Sequence, residues 1–170
     1  MFHKILAALD NSEISQPVFK EALSLAKVTD ARLHLLHVMV PFAEGYPDPV
    51  YPMADSIYSI SYSETLSSYM QMWQSIEKSG LEFLQNYTAV ATQAGVNTEF
   101  SQHLGNPSRV ICDTAQTWDA DLIVLGRRGH SKVDELILGS VSNYVFHHAA
   151  CSVLTVHGQI LRSIRNSTSY

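Results

Sequence analysis

Residues 122–129 read LIVLGRRG, and after nine more residues the chain continues with Gly139 and Ser140. The four apolar residues at the front, two of them β-branched, predict a strand buried on both faces of a sheet. Gly126 and Gly129 follow, and glycine at a strand end permits a positive φ and a close approach of the backbone to a ligand. The stretch therefore predicts a buried strand that ends in a binding turn.

Gly139 and Ser140 open a helical pattern that runs to His148. A serine at a helix start caps the helix, and the free N–H groups there suit an anion. The spacing matches neither the Walker pattern nor Gly-x-Gly-x-x-Gly, and two ordinary turns with a capped helix remain an alternative interpretation. The favoured interpretation is a phosphate cradle made by Gly126, Arg127, Arg128, Gly129, His130, Gly139, Ser140, Val141 and Ser142. For at least one of Arg127 and Arg128, a solvated surface side chain is the preferred interpretation.

Length and composition indicate one soluble globular domain. The chain has 170 residues, of which 46% are hydrophobic, and a formal net charge of −5, which disfavours a nucleic-acid surface. We expect no transmembrane helix and no secretory signal, and hence a cytoplasmic protein. Cys112 and Cys151 form no motif and indicate small core residues in a reducing cytosol, with a redox pair as the weaker alternative.

Short apolar runs alternate with helical patterns along the chain, which predicts an α/β fold with an open parallel sheet and right-handed crossovers. The strands are expected near residues 3–9, 31–40, 96–103, 120–126 and 152–156. We predict a single domain over 1–158 and a tail over 159–170. A proline-rich insertion loop over 41–62 has the length of a lid, a partner surface or a flexible insertion.

The sequence also predicts the starts of two helices and the buried face of a third. Pro17 belongs in the first turn of a helix that starts between Ser12 and Ser15, and Asn106 should cap a helix that has Pro107 at its first position. A long helical pattern covers 63–94. Its predicted core face consists of Leu66, Met70, Trp73, Glu77, Leu81, Leu84, Thr88 and Ala91.

The pattern Gly-x2-Gly-x9-Gly-Ser at Gly126, Gly129, Gly139 and Ser140 resembles the nucleotide-binding signature of the universal stress protein family. Residues 4–12, KILAALDNS, resemble that family's first strand and acidic turn, and 120–126 and 151–156 resemble its fourth and last strands. The resemblance implies a Rossmann-like five-stranded sheet of order 3-2-1-4-5, with helices on both faces. That order would bring the first acidic turn beside the glycine signature.

The resemblance also implies ligand roles. The family's acid at the position of Asp10 lies near the nucleotide, by the ribose or by a nucleotide-bound Mg²⁺ or Mn²⁺, although a helix-capping aspartate is an equal alternative. Backbone at Val38 and Val40 would receive adenine. The implied function is an adenine-nucleotide (ATP, ADP or AMP) binding regulatory module of the stress response, with at most slow ATP hydrolysis. We expect Gly126→Val or Gly129→Val to abolish binding with the fold largely intact.

Two other classes of function stay open at this stage. One is a dimeric stress protein that binds no nucleotide and acts through dimer or partner contacts. The presence of all four residues of the glycine signature argues against this class. The other is an adenylating enzyme on a related fold, which should carry a Ser-Gly-Gly-x-Asp-Ser type loop after the first strand. The turn here is Asp10-Asn11-Ser12, which contains no glycine. No catalytic constellation is recognisable.

The last strand and the histidines carry predictions about assembly and metal binding. The strand at 152–156 should lie at a sheet edge, where apolar composition favours a homodimer by strand pairing. His34 and His37 are three apart on a strand and should point to opposite faces. We therefore expect no zinc site made by protein side chains, and His130 is the only histidine to which we assign a ligand-binding role.

Overall fold

The computed structural model describes residues 1–40, 59–127 and 139–157, and within them it contains one five-stranded parallel sheet with the order β3-β2-β1-β4-β5. This is the predicted strand order. The strands are β1 (Lys4–Leu9), β2 (Arg32–Met39), β3 (Thr98–Leu104), β4 (Leu122–Arg127) and β5 (Ser152–His157). The helices are α1 (Ser15–Thr29), α2 (Ser59–Gln93), α3 (Pro107–Trp118) and α4 (Ser140–His148).

Two apolar cores lie on opposite faces of the sheet, because the central strands are apolar at nearly every position. Ile5 and Val124 face the core under α1 and α2, whereas Leu6 and Ile123 face the core under α3 and α4. All four side chains are fully buried. The sheet reverses its order between β1 and β4, so the turns after these strands leave a crevice at their carboxyl ends.

Helix boundaries follow local chemistry in most cases. Asn106 caps α3 by accepting a hydrogen bond from the Arg109 N–H at 3.3 Å, and Pro107 is the first helical residue, as predicted. Gly95 ends α2 with a φ of +84°. The helix begins at Ser59, four residues before the predicted start, because no proline or glycine interrupts the sequence there. Residues 41–58 and the tail from 158 onward lie outside the described residues.

The predicted core face of α2 is correct only in its second half. Leu84 and Ala91 are fully buried, but Leu66 is 38% and Met70 54% exposed. The helix packs on β2 and β3, and before Gly80 its described side chains are exposed or only partly buried. Helical periodicity identifies the apolar face of a helix but carries no information on how far a neighbouring sheet extends.

Cys112 and Cys151 are partly buried and pack against the core under α3 and α4. Burial raises the pKa of both thiols, which keeps them protonated and poorly nucleophilic. Their surroundings thus agree with the core role rather than a redox role. Among the described residues, no helix is both long and apolar enough to cross a membrane.

Candidate functional site

A cleft of about 700 Å³ lies at the carboxyl ends of β1, β2 and β4. Its position is the one expected for a ligand site in an open parallel sheet. Segments far apart in sequence meet there, including the turn after β1, the end of β2 and the start of α4. The described cleft residues that matter most are Asp10, Ser12, Ile14, Ser15, His37, Val38, Val40, Pro107, Ile111, Gly126, Gly139, Ser140, Val141 and Ser142.

The start of α4 forms one wall of the cleft. Gly139 occupies the N-cap position and Ser140 is the first helical residue, so the predicted serine cap is wrong. Within the described residues no side chain caps this helix. The buried Ser142 hydroxyl donates to the Gly139 carbonyl at 3.0 Å, and the Asn143 N–H donates to the same carbonyl at 2.8 Å. The first N–H groups of α4 therefore remain as donors at the cleft.

The turn after β1 holds a carboxylate in a fixed position. Asp10 Oδ1 accepts hydrogen bonds from the Ser12 N–H at 3.0 Å and from the Ser12 hydroxyl. The Ser15 hydroxyl lies 2.5 Å from the Asp10 carbonyl oxygen and 3.0 Å from Oδ1, so it can donate to either. The Ser15 oxygen in turn accepts from the Asp10 N–H at 2.8 Å. Asp10 organises the turn rather than occupying the N-cap of α1, which is Ile14. It also lines the cleft, so its structural and ligand-binding roles are compatible.

The N-termini of α1, α3 and α4 differ in how their N–H groups are satisfied. At α3 the Asn106 side chain provides the cap. The turn into α1 already contains the Asp10 carboxylate. At α4 the described residues supply neither a capping side chain nor an acidic residue in the first turn. Because a helix N-terminus attracts negative charge, α4 is the N-terminus best suited to an external anion.

Gly126 has a structural role that the sequence did not reveal. It lies within β4 and is absent from the described residues with positive φ, so the expected conformational reason for glycine is wrong. A Cβ at this position would lie 2.7 Å from Cγ1 and 2.8 Å from Cγ2 of Ile14. The glycine therefore makes room for Ile14, the N-cap residue of α1. Gly126→Val should damage packing as well as binding, contrary to the sequence-based expectation.

The predicted site residues separate into two groups. The structure brings Asp10, Val38 and Val40 together with Gly126 and with the residues at 139–142, all around one cleft. Arg127 is the last residue of β4 and is partly buried, but it is not among the residues lining the cleft. Arg128, Gly129 and His130 lie outside the described residues.

Sequence reasoning missed several cleft residues. Ile14 and Ser15 start α1, and Pro107 and Ile111 belong to the first half of α3. The turn into α3 follows a parallel strand, so its presence at the same sheet edge could have been anticipated. His37 was predicted to face the opposite side from His34, and this is confirmed by its contacts with Phe83 rather than Trp118. Its place at the cleft was not predicted.

Within the described part of the chain, no three His, Cys, Asp or Glu residues lie close enough together to hold a metal ion. The side-chain oxygens of the described cleft residues include the Asp10 carboxylate, the Asn11 amide oxygen and the hydroxyls of Ser12 and Ser140. Oxygen ligands are those that Mg²⁺ and Mn²⁺ prefer, and such ions are commonly held by one carboxylate together with substrate phosphates. The residues fit a cation that arrives with a phosphorylated ligand.

Two groups with shifted pKa values, His34 and Asp121, are not among the residues that line the cleft. His34 is buried, and its Nε2 lies 2.8 Å from the Ser101 hydroxyl. Burial lowers the pKa of His34, with nearby Glu99 acting in the other direction. Asp121 accepts hydrogen bonds from the His3 and Lys4 N–H groups at 2.7 and 2.8 Å, and these lower its pKa. Neither residue is near the cleft, so both have structural roles.

The family model and the similar proteins all identify the same family. The family model described as the universal stress protein family matches residues 1–157. A universal stress protein of Synechocystis sp. is 36% identical over 155 residues, which cover 91% of this chain and 97% of the relative. The universal stress protein YxiE of Bacillus subtilis is 33% identical over 159 residues, covering 92% and 99% of the two chains.

Solved structures agree with the fold. Universal stress protein UspA from Lactobacillus plantarum superposes with a TM-score of 0.64 at 29% identity, covering 91% of this chain and 97% of that one. A universal stress protein family member from Arabidopsis thaliana, whose structure has AMP bound, superposes with a TM-score of 0.64 at 24% identity and 93% coverage of both chains.

Proposed function

Because this chain belongs to the universal stress protein family, we propose that its cleft binds an adenine nucleotide and that the protein acts as a nucleotide-dependent regulatory module. The phosphate would lie at the start of α4, and the base would lie toward Val38 and Val40 at the end of β2. ATP, ADP and AMP are all candidate ligands.

The observation that carries this proposal is the N-terminus of α4. Its first N–H groups line a cleft of about 700 Å³, and no described side chain caps them. The Ser142 and Asn143 bonds to the Gly139 carbonyl hold this turn in place. A phosphate would accept hydrogen bonds from these N–H groups and would be favoured by the helix dipole.

A nucleotide-bound Mg²⁺ or Mn²⁺ would assist this binding through Asp10. The carboxylate stands at the cleft in a geometry fixed by Ser12 and Ser15, so little reorganisation is needed when the ion arrives. The cation would offset the repulsion between this carboxylate and phosphate. Asp10 is the only carboxylate among the described cleft residues. We propose at most slow hydrolysis, which needs only a metal ion and a positioned water.

The proposal draws further support from similar structures. One universal stress protein structure is a complex with cAMP, another with dAMP, and the Arabidopsis structure contains AMP. These neighbours are 17% to 24% identical to the chain. These proteins share the fold of this chain, and their ligands support the choice of an adenosine phosphate as the proposed ligand.

Calorimetric titration with ATP, ADP and AMP, each with and without Mg²⁺ or Mn²⁺, tests the proposal. We expect binding, with a metal-dependent gain for ATP that Asp10→Asn removes. Asp113→Asn is the matched control, because Asp113 is an exposed carboxylate on α3 that does not line the cleft. Absence of binding by all three nucleotides at millimolar concentration would contradict the proposal and favour a partner-binding protein without nucleotide.

We also propose a homodimer formed through β5. The strand lies at one edge of the sheet, and Leu154 on it is 37% exposed and pairs in register with Val124 of β4. Pairing of two β5 edges across a two-fold axis would satisfy both rows of backbone groups. Light scattering should report a dimer for wild type and a monomer for Leu154→Lys. Leu104→Lys on the opposite edge strand is the control, and a monomeric wild type would refute the proposal.

A further inference from the structure

A buried ring nitrogen on the face of β2 that packs against α3 has no hydrogen-bond partner among the described residues. His34 is 8% exposed, and its Nε2 lies 2.8 Å from the Ser101 hydroxyl of β3. Its Nδ1 is buried as well, and no described polar atom lies within hydrogen-bond distance of it. A buried polar atom without a partner weakens a fold, so the bond to Ser101 alone does not explain a histidine at this position.

The His34 ring supports the C-terminal end of α3. Trp118 is the last residue of that helix, and its ring meets the His34 ring edge-on at a centroid distance of 5.1 Å and an interplanar angle of 75°. The indole Nε1 donates a hydrogen bond to Glu99 Oε1 at 2.6 Å, and Lys4 Nζ donates to the Trp118 carbonyl at 3.1 Å. His34, Glu99 and Lys4 thus hold one residue of α3 against three strands of the sheet.

Protonation changes what the His34 ring requires from its surroundings. The neutral ring has one N–H donor and one acceptor nitrogen, whereas the protonated ring has two N–H donors and a positive charge. The Ser101 hydroxyl can accept from one donor, and the other would remain buried without a described acceptor. Burial of an unpaired charged donor costs far more than burial of a neutral nitrogen. The protonated ring therefore has to leave its position beside Trp118 to reach an acceptor or water.

The charged and titratable groups on the elements around this contact keep the ring neutral near pH 7. They are Lys4, Arg32, Glu99, His103 and Asp119. Glu99 pairs in register with His34, but its Oε1 already accepts hydrogen bonds from Trp118 and, at 3.0 Å, from Arg32. Lys4 and Asp119 form an ion pair with each other at 3.5 Å. Burial lowers the pKa of His34, Glu99 opposes this effect, and His103 and Arg32 lower the pKa further.

Helix α3 connects the His34–Trp118 contact to the cleft. Pro107 and Ile111, in the first half of the helix, line the cleft. Trp118 lies two turns beyond Ile111, which is about 10 Å along the helix axis. Packed, rigid helices of this length carry a change at one end to the other.

We propose that the His34–Trp118 contact is an acid-sensitive attachment of α3, which holds the helix on the sheet while the His34 ring is neutral and releases its C-terminal end when the ring is protonated. Histidine is the side chain whose charge changes in this pH range, and buried histidines act in this way at pH-dependent interfaces. Release of α3 would also loosen the cleft and weaken nucleotide binding in mild acid. This last step rests on the proposed function, whereas the attachment itself does not.

The fluorescence of Trp118 measures the attachment directly. The chain contains two tryptophans, so Trp73→Phe leaves Trp118 as the only one. In this background the emission should move to longer wavelength as the pH falls, with a midpoint below the ordinary histidine value of about 6.5, because the indole enters water when the ring is protonated. His34→Phe, which keeps a ring against Trp118 but cannot be protonated, should abolish the transition. His103→Gln is the matched control and should keep it, since His103 is an exposed histidine on the neighbouring strand β3.

Hydrogen exchange separates local release from acid unfolding and needs no variant. In mild acid, wild type should lose amide protection at 115–118 while the central strands β1 and β4 stay protected. Loss of protection in all strands together, or an emission transition that persists in His34→Phe, would overturn the inference. At pH 8, His34→Phe should melt no lower than wild type, because it removes a buried nitrogen without a partner. A clearly lower melting temperature would mean that the ring nitrogens serve the fold alone and would also overturn the inference.

Titration with AMP tests the step from the attachment to the cleft. The phosphate of AMP titrates in the same pH range, so wild type and His34→Phe are compared at each pH, where the ligand is in the same state. Their dissociation constants should be equal at pH 8, and wild type should bind about fivefold more weakly than His34→Phe in mild acid, the lower end of typical coupling between sites. Equal constants at every pH would overturn the coupling to the cleft. If neither protein binds AMP at any pH, the proposed function fails, and fluorescence and exchange still decide whether the attachment is acid-sensitive.

Discussion

Gly126→Ala tests whether the turn after β1 and the end of β4 are held together by one contact. The added Cβ would lie 2.7 and 2.8 Å from the two γ carbons of Ile14, whereas carbon atoms normally approach to about 3.5–4.0 Å. Ile14 is branched at Cβ and involves both γ carbons, so a rotamer change gives little relief. Overpacking of this kind costs about 1–3 kcal/mol.

For a domain of this length, that cost corresponds to a melting temperature lower by about 2–12 °C. Ile14→Ala removes both γ carbons that the new Cβ would meet. The double variant should therefore be more stable than the sum of the two single changes predicts, by about 1–2 kcal/mol. Chemical denaturation of wild type, the two single variants and the double variant measures this coupling.

The control is Gly80→Ala, whose added Cβ meets Gln102 and His37 instead. It should be destabilising, and Ile14→Ala should not rescue it. The reasoning is refuted if Gly126→Ala costs less than about 0.5 kcal/mol, the range of ordinary surface substitutions, or if Ile14→Ala gives no rescue. Gly126 has two possible roles, to leave space for Ile14 and to let the backbone approach the phosphate, and AMP titration of the double variant separates them. Lost binding in a stable double variant means that the approach to phosphate also needs glycine.

Three further predictions concern parts of the molecule whose chemistry is now defined. The pKa of His34 is lower in the folded state than in the unfolded chain. The unfolded chain therefore binds more protons as pH falls below about 6.5, and wild type should lose stability there. Urea melts should show a weaker pH dependence for His34→Gln. Asp121→Asn should lower the free energy of unfolding by about 1 kcal/mol in chemical denaturation at pH 7. The difference between the two proteins should vanish in strong acid. The lowered pKa of Asp121 means that the ionised carboxylate stabilises the fold, and this stabilisation is lost as the pH falls below the ordinary pKa of aspartate. Ser15→Ala should weaken metal-dependent ATP binding more than adenosine binding, since the Ser15 hydroxyl holds Asp10; equal losses for both ligands would show a general effect on the fold.

The strand order and the cleft location could be predicted from the sequence to a large extent. Apolar runs such as 122–125 indicate strands buried on both faces, and parallel strands place their carboxyl ends at one edge. The strand order came from the resemblance to a family, because the hydrophobic periodicity of the sequence does not determine the order of strands in a sheet. Asp10 and the residues at 139–142 could be assigned to one site in this way.

What could not be predicted depends on contacts between distant segments. Gly126 and Ile14 are separated by more than a hundred residues, and only the fold shows that the glycine accommodates the isoleucine. The pairing of His37 with Gln102 follows from the register between β2 and β3, which the amino-acid pattern leaves undetermined. The exposed first half of α2 was missed because amphipathicity is the same whether or not a sheet lies beneath it.

The central claim is that the uncapped start of α4 binds the phosphate of an adenine nucleotide. The most direct measurement is amide chemical-shift mapping during titration with AMP and, separately, with adenosine. The account predicts that the N–H signals of Ser140, Val141 and Ser142 move with AMP and much less with adenosine, while those of Ser108 and Arg109 at the capped start of α3 stay nearly fixed. Binding of AMP that leaves the three α4 signals unmoved, or moves them equally with adenosine, would contradict it.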